Sequence, residues 1–363
     1  MEERRISYAR RFVRLLPALL IGAGSVYDYV TPTGLTGAPF FTAAPLVAAP
    51  LYSQRGTILT GITAVLVLLA LRVVHGALPR AELITELVTV VVVSVLAVLI
   101  NLLVRRSDER LASAREIAEA AQRAVLPEPA QRIGGFQIAA RYEAAQEGAS
   151  IGGDLYAVQD SPHGVRVIVG DVRGKGMGAV GAVAVVIGAF REAAEQEATL
   201  EAVAQRLERA LAARERARGE GIEADEGFTT VVLAELPHGD SAVRLVNRGH
   251  PPPLLLYADG AVRALHAVEP ALPLGMGELG AWPDRAQDAG FPSEATLLLY
   301  TDGMSEARDE GGRYYDPEVG LAGRANACRE PAERIGVLAA DVRRHSGGGM
   351  ADDMALIAVR RRP

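Results

Sequence analysis

Four stretches place an aspartate beside glycine or a tight turn at the edge of an apolar run. They are "ASIGGDLYAVQD" with Asp154, "VRVIVGDVRGKG" with Asp171, "TLLLYTDGMSEARD" with Asp302, and "GGGMADDMALIAV" with Asp352 and Asp353. One such stretch alone reads as an Asp-Gly turn. Four point to a shared site, because a carboxylate at the edge of a core is costly unless bonded, paired or bound to a metal. Glycine permits the close backbone approaches that such a site needs. Carboxylates gathered together repel one another unless cations lie between them. Oxygen-only donors select hard ions, here Mg2+ or Mn2+. Two such ions ~3.5–4 Å apart lower the pKa of a shared water and hold phosphoryl oxygens during in-line displacement. The chemistry implied is metal-assisted hydrolysis of a phosphate ester. Structurally bound calcium is the competing reading; against it, the aspartates are far apart in sequence and lack a calcium-loop pattern.

The elements that must hold these acids are strands. From Ile133 onward the chain offers "FQIAARYEA", "LYAVQD", "VRVIVGDV", "TTVVLAEL", "AVRLVNRG", "PPLLLYA", "TLLLYTDG" and "MALIAVRR". Helical patterns occupy residues 178–196, 200–216 and 331–345. Strands, then two helices, then more strands predict an α+β layered domain and not a doubly wound parallel sheet. The chain's net charge is −6, its acidity belongs to this half, and no basic footprint for nucleic acid is present. Cys328 is the sole cysteine, which excludes disulfides within the chain and thiolate metal clusters. The six histidines show no zinc-type spacing.

Residues 1–104 read as a membrane region. "LITELVTVVVVSVLAVLINLLV", from Leu83 to Val104, is long enough to cross a bilayer core of ~30 Å. Gly56 to Val74 is a second good span, and Phe12 to Val30 and Phe40 to Tyr52 are weaker ones, short or broken by proline. A signal peptide competes for the first, but further apolar segments follow directly, which favours an anchor. Arg4, Arg5, Arg10, Arg11 and Arg14 precede the first span, and Arg105 and Arg106 follow the last. The positive-inside rule therefore places both ends in the cytoplasm and requires an even number of crossings. Four is the expected number, with two crossings or a re-entrant second segment as alternatives. Arg72 and Arg80 on the outer side run against the rule. No span shows a paired set of ionisable residues, which argues against an ion pathway.

Residues 105–129 form a connecting helix that Pro127 and Pro129 stop. Val104, Leu111, Ala114, Ala118, Ala121 and Val125 fit an alanine-rich a/d seam. A parallel homodimer through this helix and a solvated spacer are both open readings.

The motifs "SIGGDLYAV", "VGDVRGKGMGA", "NRGHPPPLLL", "LLLYTDGMSEARD" and "DDMALIAV" occur in one order. In that order the chain resembles bacterial metal-dependent protein phosphatases of the PPM (type 2C) class, in the branch of SpoIIE and RsbU. The resemblance covers residues 114–361. It implies a PPM-type sandwich of two antiparallel β-sheets flanked by α-helices over residues 130–363, with two Mn2+ or Mg2+ ions at one edge. By motif, Asp171 would bridge both ions, and Asp154 and the backbone carbonyl of Val172 would bind one of them. Asp302 and Asp352 would bind the other, with Asp353 beside them. The nucleophile would be a metal-bridging hydroxide. The implied substrate is phosphoserine or phosphothreonine in a protein, often an anti-sigma-factor antagonist in a partner-switching pathway.

The chain departs from the family pattern at Ala157, commonly an Asp, and at Arg173, usually a small residue. Arg173 reads as a substrate-phosphate ligand or as a solvated loop arginine. "DVRGKGMGA" fails the P-loop spacing, since Val169 and Gly176 stand where Gly and Ser or Thr belong. His250 in "NRGHPPP" reads as a turn residue, not a ligand. Residues 214–227 read as a solvated connection. The expectation is a multi-pass membrane phosphatase whose catalytic domain faces the cytoplasm, between membrane lipid and a phosphoprotein. A catalytically silent, membrane-tethered sensor or binding module is the rival reading.

Overall fold

A computed structural model of the chain describes residues 2–31, 36–75, 80–126, 128–144, 152–218, 227–280, 283–321, 330–350 and 352–362. It divides into two compact units, Met1–Ala114 and Arg115–Pro363.

The first unit is helical: α1 (Glu2–Val30), α2 (Ala38–Leu51), α3 (Gln54–His75) and the greater part of α4 (Arg80–Val125). Phe41, Ala64, Leu68 and Val90 form its core. Leu59, Leu66, Val73, Val92 and Leu103 point outward, an apolar skin of the kind that marks a membrane or protein contact. Four helices among the described residues are long and apolar enough to cross a membrane, at Val13–Val30, Gln54–Val74, Ala81–Arg110 and Met177–Gln196. The last belongs to the second unit, where half of it is buried. The second apolar segment falls short: α2 has 14 residues, with Pro45 and Pro50 inside it. At ~1.5 Å per residue it reaches only ~21 Å. Its terminal carbonyls, which a helix end leaves without partners, are met by Asn101 of α4. That amide donates to Ala49 O at 2.5 Å and to Tyr52 O at 3.0 Å.

Among the described residues no span pairs ionisable residues within itself, but three helices do so between them. Arg72, near the end of α3, donates to Asp28 at the end of α1 (2.9 Å) and to Glu86 near the start of α4 (3.0 Å). All three side chains are nearly enclosed. The lone acids and the arginine looked unrelated in sequence because 44 and 14 residues separate the partners. The seam on α4 is untested, because the side chains of Leu111, Ala114 and Ala118 lie outside the described part.

The second unit is built on two antiparallel sheets. One has the order β1 (Arg132–Ile133), β2 (Phe136–Glu143), β11 (Met354–Arg361), β10 (Thr296–Tyr300), β7 (Leu254–Leu256), β8 (Val262–Ala264). The other runs β3 (Asp154–Ser161), β4 (Gly164–Val172), β5 (Thr229–Leu236), β6 (Ala242–Arg248), β9 (Gln287–Gly290). Side chains on a strand alternate between faces. Leu297 and Leu299 thus join Val167, Val169, Val231 and Ile357 in the main core. Leu298 and Tyr300 face a second core with Ile335, Leu338 and Val342 of α9 (Pro331–His345). Burial on both faces explains why "TLLLY" is apolar throughout.

On the other sheet, α5 (Met177–Gln196) packs against β3 and α6 (Leu200–Arg218). Its face of Val180, Val183, Ile187 and Phe190 is buried, as the helical spacing predicts. The short helices α7 (Asp302–Ser305) and α8 (Pro317–Leu321) complete the unit. Arg166 of β4 is wholly buried. It donates twice to Glu235 Oε2 of β5, at 2.9 and 2.6 Å, and to the carbonyls of Ala194 and Glu197 at the end of α5.

Candidate metal centre

The β3–β4 hairpin supplies the first two acids. Asp154 opens β3, Asp171 is the penultimate residue of β4, and their register sets them directly opposite each other. The approach to β3 has to be glycine. A Cβ on Gly153 would lie 2.0 Å from the Val172 carbonyl oxygen, and one on Gly152 would lie 1.8 Å from Asp353 Oδ2. The third acid comes from the other sheet. β10 ends at Tyr300, Thr301 is extended, and Asp302 begins α7. Gly303 behind it leaves no room for a side chain, since its Cβ would lie 1.8 Å from the Asp353 carbonyl oxygen.

Asp154, Asp171 and Asp302 each bring a carboxylate oxygen to one place, all within 4.8 Å of one another. Thr301, fully buried, ties the two sheets together there. Its hydroxyl donates to Asp154 Oδ2 at 2.7 Å and accepts the Ala355 N–H at 2.8 Å. Asp353 is buried and accepts a hydrogen bond from Tyr142 at 2.6 Å. Asp352 stands at the exposed rim, outside the close group, with Oδ1 3.3 Å from Lys175 Nζ. The Val172 carbonyl faces the Gly153 α-carbon, beside Asp154. Arg173 is on the following loop with its guanidinium 5.2 Å above the Phe228 ring.

Of the acids singled out in sequence, Asp154, Asp171 and Asp302 come together and Asp352 stays at the rim; the residues that hold them, Thr301 and Tyr142, were not singled out. Thr301 was visible in "YTDG", where a hydroxyl beside an aspartate at a strand end is the available signal. Tyr142 gave none, because it belongs to a strand 211 residues from Asp353.

The electrostatics follow from burial and crowding. Burial, and next the Asp171 charge, raise the Asp154 pKa well above the ordinary value. Burial, with Asp302, Asp352 and Asp353 nearby, raises Asp171 to about 7, and Lys175 opposes the shift. Asp302 is raised by burial and by Glu306 and Asp352, against a bond from the Gly303 N–H. One buried and two half-buried acids, all with raised pKa values and hard oxygen donors, form the environment that a divalent cation stabilises. The residues present therefore fit Mg2+ or Mn2+.

Metal uptake must displace protons from these acids. Mn2+ affinity is therefore expected to strengthen as pH rises through about 7, because Asp171 is raised to about 7 and Asp154 well above its ordinary value. Titration calorimetry at about pH 6 and about pH 8 in buffers of different ionisation heat reads both affinity and proton release. Equal affinity at both, with no proton released, contradicts this account.

Residues 161–362 match the family described as Stage II sporulation protein E (SpoIIE), a match that begins just after Asp154. Three solved structures share the fold. The RsbU and RsbW domains of a Mycobacterium tuberculosis protein align at 25% identity and a TM-score of 0.50, over 63% of this chain and 60% of that one. The PP2C phosphatase domain of SpoIIE from Bacillus subtilis, with a fragment of its regulatory domain, aligns at 18% identity and 0.51, over 62% and 63%. The SiaA-PP2C domain of Pseudomonas aeruginosa aligns at 17% and 0.56, over 70% and 98%. This chain thus spans less than two thirds of the first two. The two antiparallel sheets flanked by helices agree with the fold of those structures. With more than half of its length matched, the chain belongs to the SpoIIE family and carries a PP2C-type phosphatase fold.

Proposed function

We propose that this chain is a membrane-anchored protein phosphatase that hydrolyses phosphoserine or phosphothreonine with two Mn2+ or Mg2+ ions. In this reading residues 1–104 are the anchor, 105–129 the connecting helix and 130–363 the catalytic domain, on the cytoplasmic side. The observation that carries it is the convergence of Asp154, Asp171 and Asp302 within 4.8 Å.

Asp154, Asp171, Asp302, Asp352 and the Val172 carbonyl would hold the ions. Bound there, the ions supply an activated water and charge compensation for the phosphoryl oxygens. The chain's own residues do the rest. Thr301 orients Asp154, and Tyr142 orients Asp353. In this reading Arg173 and Lys175, on the loop that follows β4, would receive a substrate phosphate. The exposed apolar skin of the first unit supports the anchor, and the arginines flanking its helices support the cytoplasmic orientation. Resemblance to RsbU-type phosphatases supports a phosphorylated anti-sigma-factor antagonist as the target. A homodimer through the connecting helix belongs to the same reading and rests on the a/d spacing alone.

The full chain, purified in detergent, is expected to dephosphorylate a phosphoserine peptide with Mn2+ and to lose this activity in EDTA or as Asp302→Asn. Turnover that persists in EDTA removes the mechanism. Mn2+ binding without turnover of any phosphopeptide favours the silent binding module instead.

A further inference from the structure

The "NRGHPPP" segment is absorbed by neither the metal set nor the substrate loop, yet its histidine lies at the joint between the two sheets. β7 pairs with β10 in the register Leu298↔Leu254. Two residues further along, that register would set Tyr300 opposite Pro252. Proline has no N–H to give, so the ladder stops there. His250 replaces the missing donor with its side chain: Nε2 is 3.0 Å from the Tyr300 carbonyl oxygen, which can only accept. Burial lowers the His250 pKa to about 3, so the ring is neutral, and Nδ1, left without a proton, accepts from the Thr230 hydroxyl at 2.9 Å. The ring is buried.

Each contact lies one step from a metal-site acid. Thr230 is the β5 residue paired with Asp171 of β4. Tyr300 precedes Thr301, which bonds Asp154, and then Asp302. The backbone of His250 is itself fixed. Its N–H donates to Asn247 Oδ1 and its carbonyl accepts from Asn247 Nδ2, both at 2.8 Å. Gly249 turns the chain at φ +70, a conformation that favours glycine.

We propose that His250 is a positioning residue: its neutral imidazole spans the two sheets and sets the separation of Asp171 from Asp302, and thereby the fit of the divalent ions. This rests on the phosphatase reading above. A one-ångström change in that separation alters the coordination geometry that Mg2+ and Mn2+ demand.

The test uses the full chain in detergent, with calorimetric Mn2+ titration, melting temperature in EDTA, and phosphopeptide kcat and KM. Variants are His250→Leu, which removes both bonds, His250→Gln, which retains a donor toward Tyr300, and Thr230→Val. Leu207→Ala, a core truncation in α6, is the stability control. His250→Leu is expected to weaken Mn2+ binding about tenfold or more and to lower kcat with KM little changed. His250→Gln should recover most of the affinity. Leu207→Ala should lower the melting temperature with Mn2+ affinity within about twofold of wild type. Loss of affinity in step with melting temperature across all variants, or unchanged affinity in His250→Leu, overturns the proposal. Should His250→Leu fail to fold, Thr230→Val decides: weaker Mn2+ binding supports the proposal and unchanged binding overturns it. A wild-type chain that binds no Mn2+ overturns the phosphatase reading, and this inference with it.

Discussion

Asp171→Asn is expected to abolish metal-dependent hydrolysis, lowering kcat by about a thousandfold or more, while leaving the fold intact. The size follows from removing a central donor of a cluster that supplies several kcal/mol of charge stabilisation, at about 1.4 kcal/mol per tenfold in rate. The more telling result concerns stability without metal. Asp171 is raised to about 7 by burial and by its acidic neighbours. A carboxyl whose folded pKa lies above its unfolded one stabilises the fold fully below the unfolded value. That contribution fades as pH rises from about 4 and is gone above about 7. In EDTA at about pH 8 the wild type therefore carries an unfavourable buried charge that asparagine lacks. Asp171→Asn should melt at or above the wild-type temperature there, and the gap should close as pH falls toward about 5. An inactive variant that melts well below wild type in EDTA at about pH 8 would falsify this account, since the loss of activity would then be one of folding.

Arg166→Met is expected to be the most damaging single change to stability away from the metal centre. Arg166 is fully enclosed and its partner Glu235 nearly so. Deleting the guanidinium leaves a buried carboxylate with only the half-exposed Arg244 beside it, and leaves the Ala194 and Glu197 carbonyls without that donor. Breaking a buried pair from one side costs ~3–5 kcal/mol. For a unit of this size that is a fall of roughly 10 °C in melting temperature. Replacing both partners, as Arg166→Met with Glu235→Leu, should recover part of the loss because no orphaned charge remains. Differential scanning calorimetry of the three chains decides; a double variant less stable than Arg166→Met contradicts the explanation.

The parts of this protein legible in sequence are those that local chemistry dictates. Leu297–Tyr300 had to be buried on both faces, and α5 had to bury Val183 and Ile187, because the apolar spacing allows nothing else. Asp154, Asp171 and Asp302 could be named because each stands at a strand end beside a glycine whose Cβ would collide with its surroundings. The illegible parts are those that only the fold brings together. The Asp28–Arg72–Glu86 network joins three helices, and no local pattern announces it. The two-residue β1 and the half-exposed β9 lack the apolar run that marks a strand. Asp352 resembled its neighbours in sequence, yet its side chain sits at the rim, and nothing in "GGGMADD" separates it from buried Asp353.

Lys175 is the sole lysine of the chain, and its ammonium lies 3.3 Å from Asp352. Apart from a chain-terminal amine, an acylating dye has one address on this molecule, at the lip of the acidic cluster. A fluorophore attached there would sense occupancy of the cleft directly, with no engineered cysteine required.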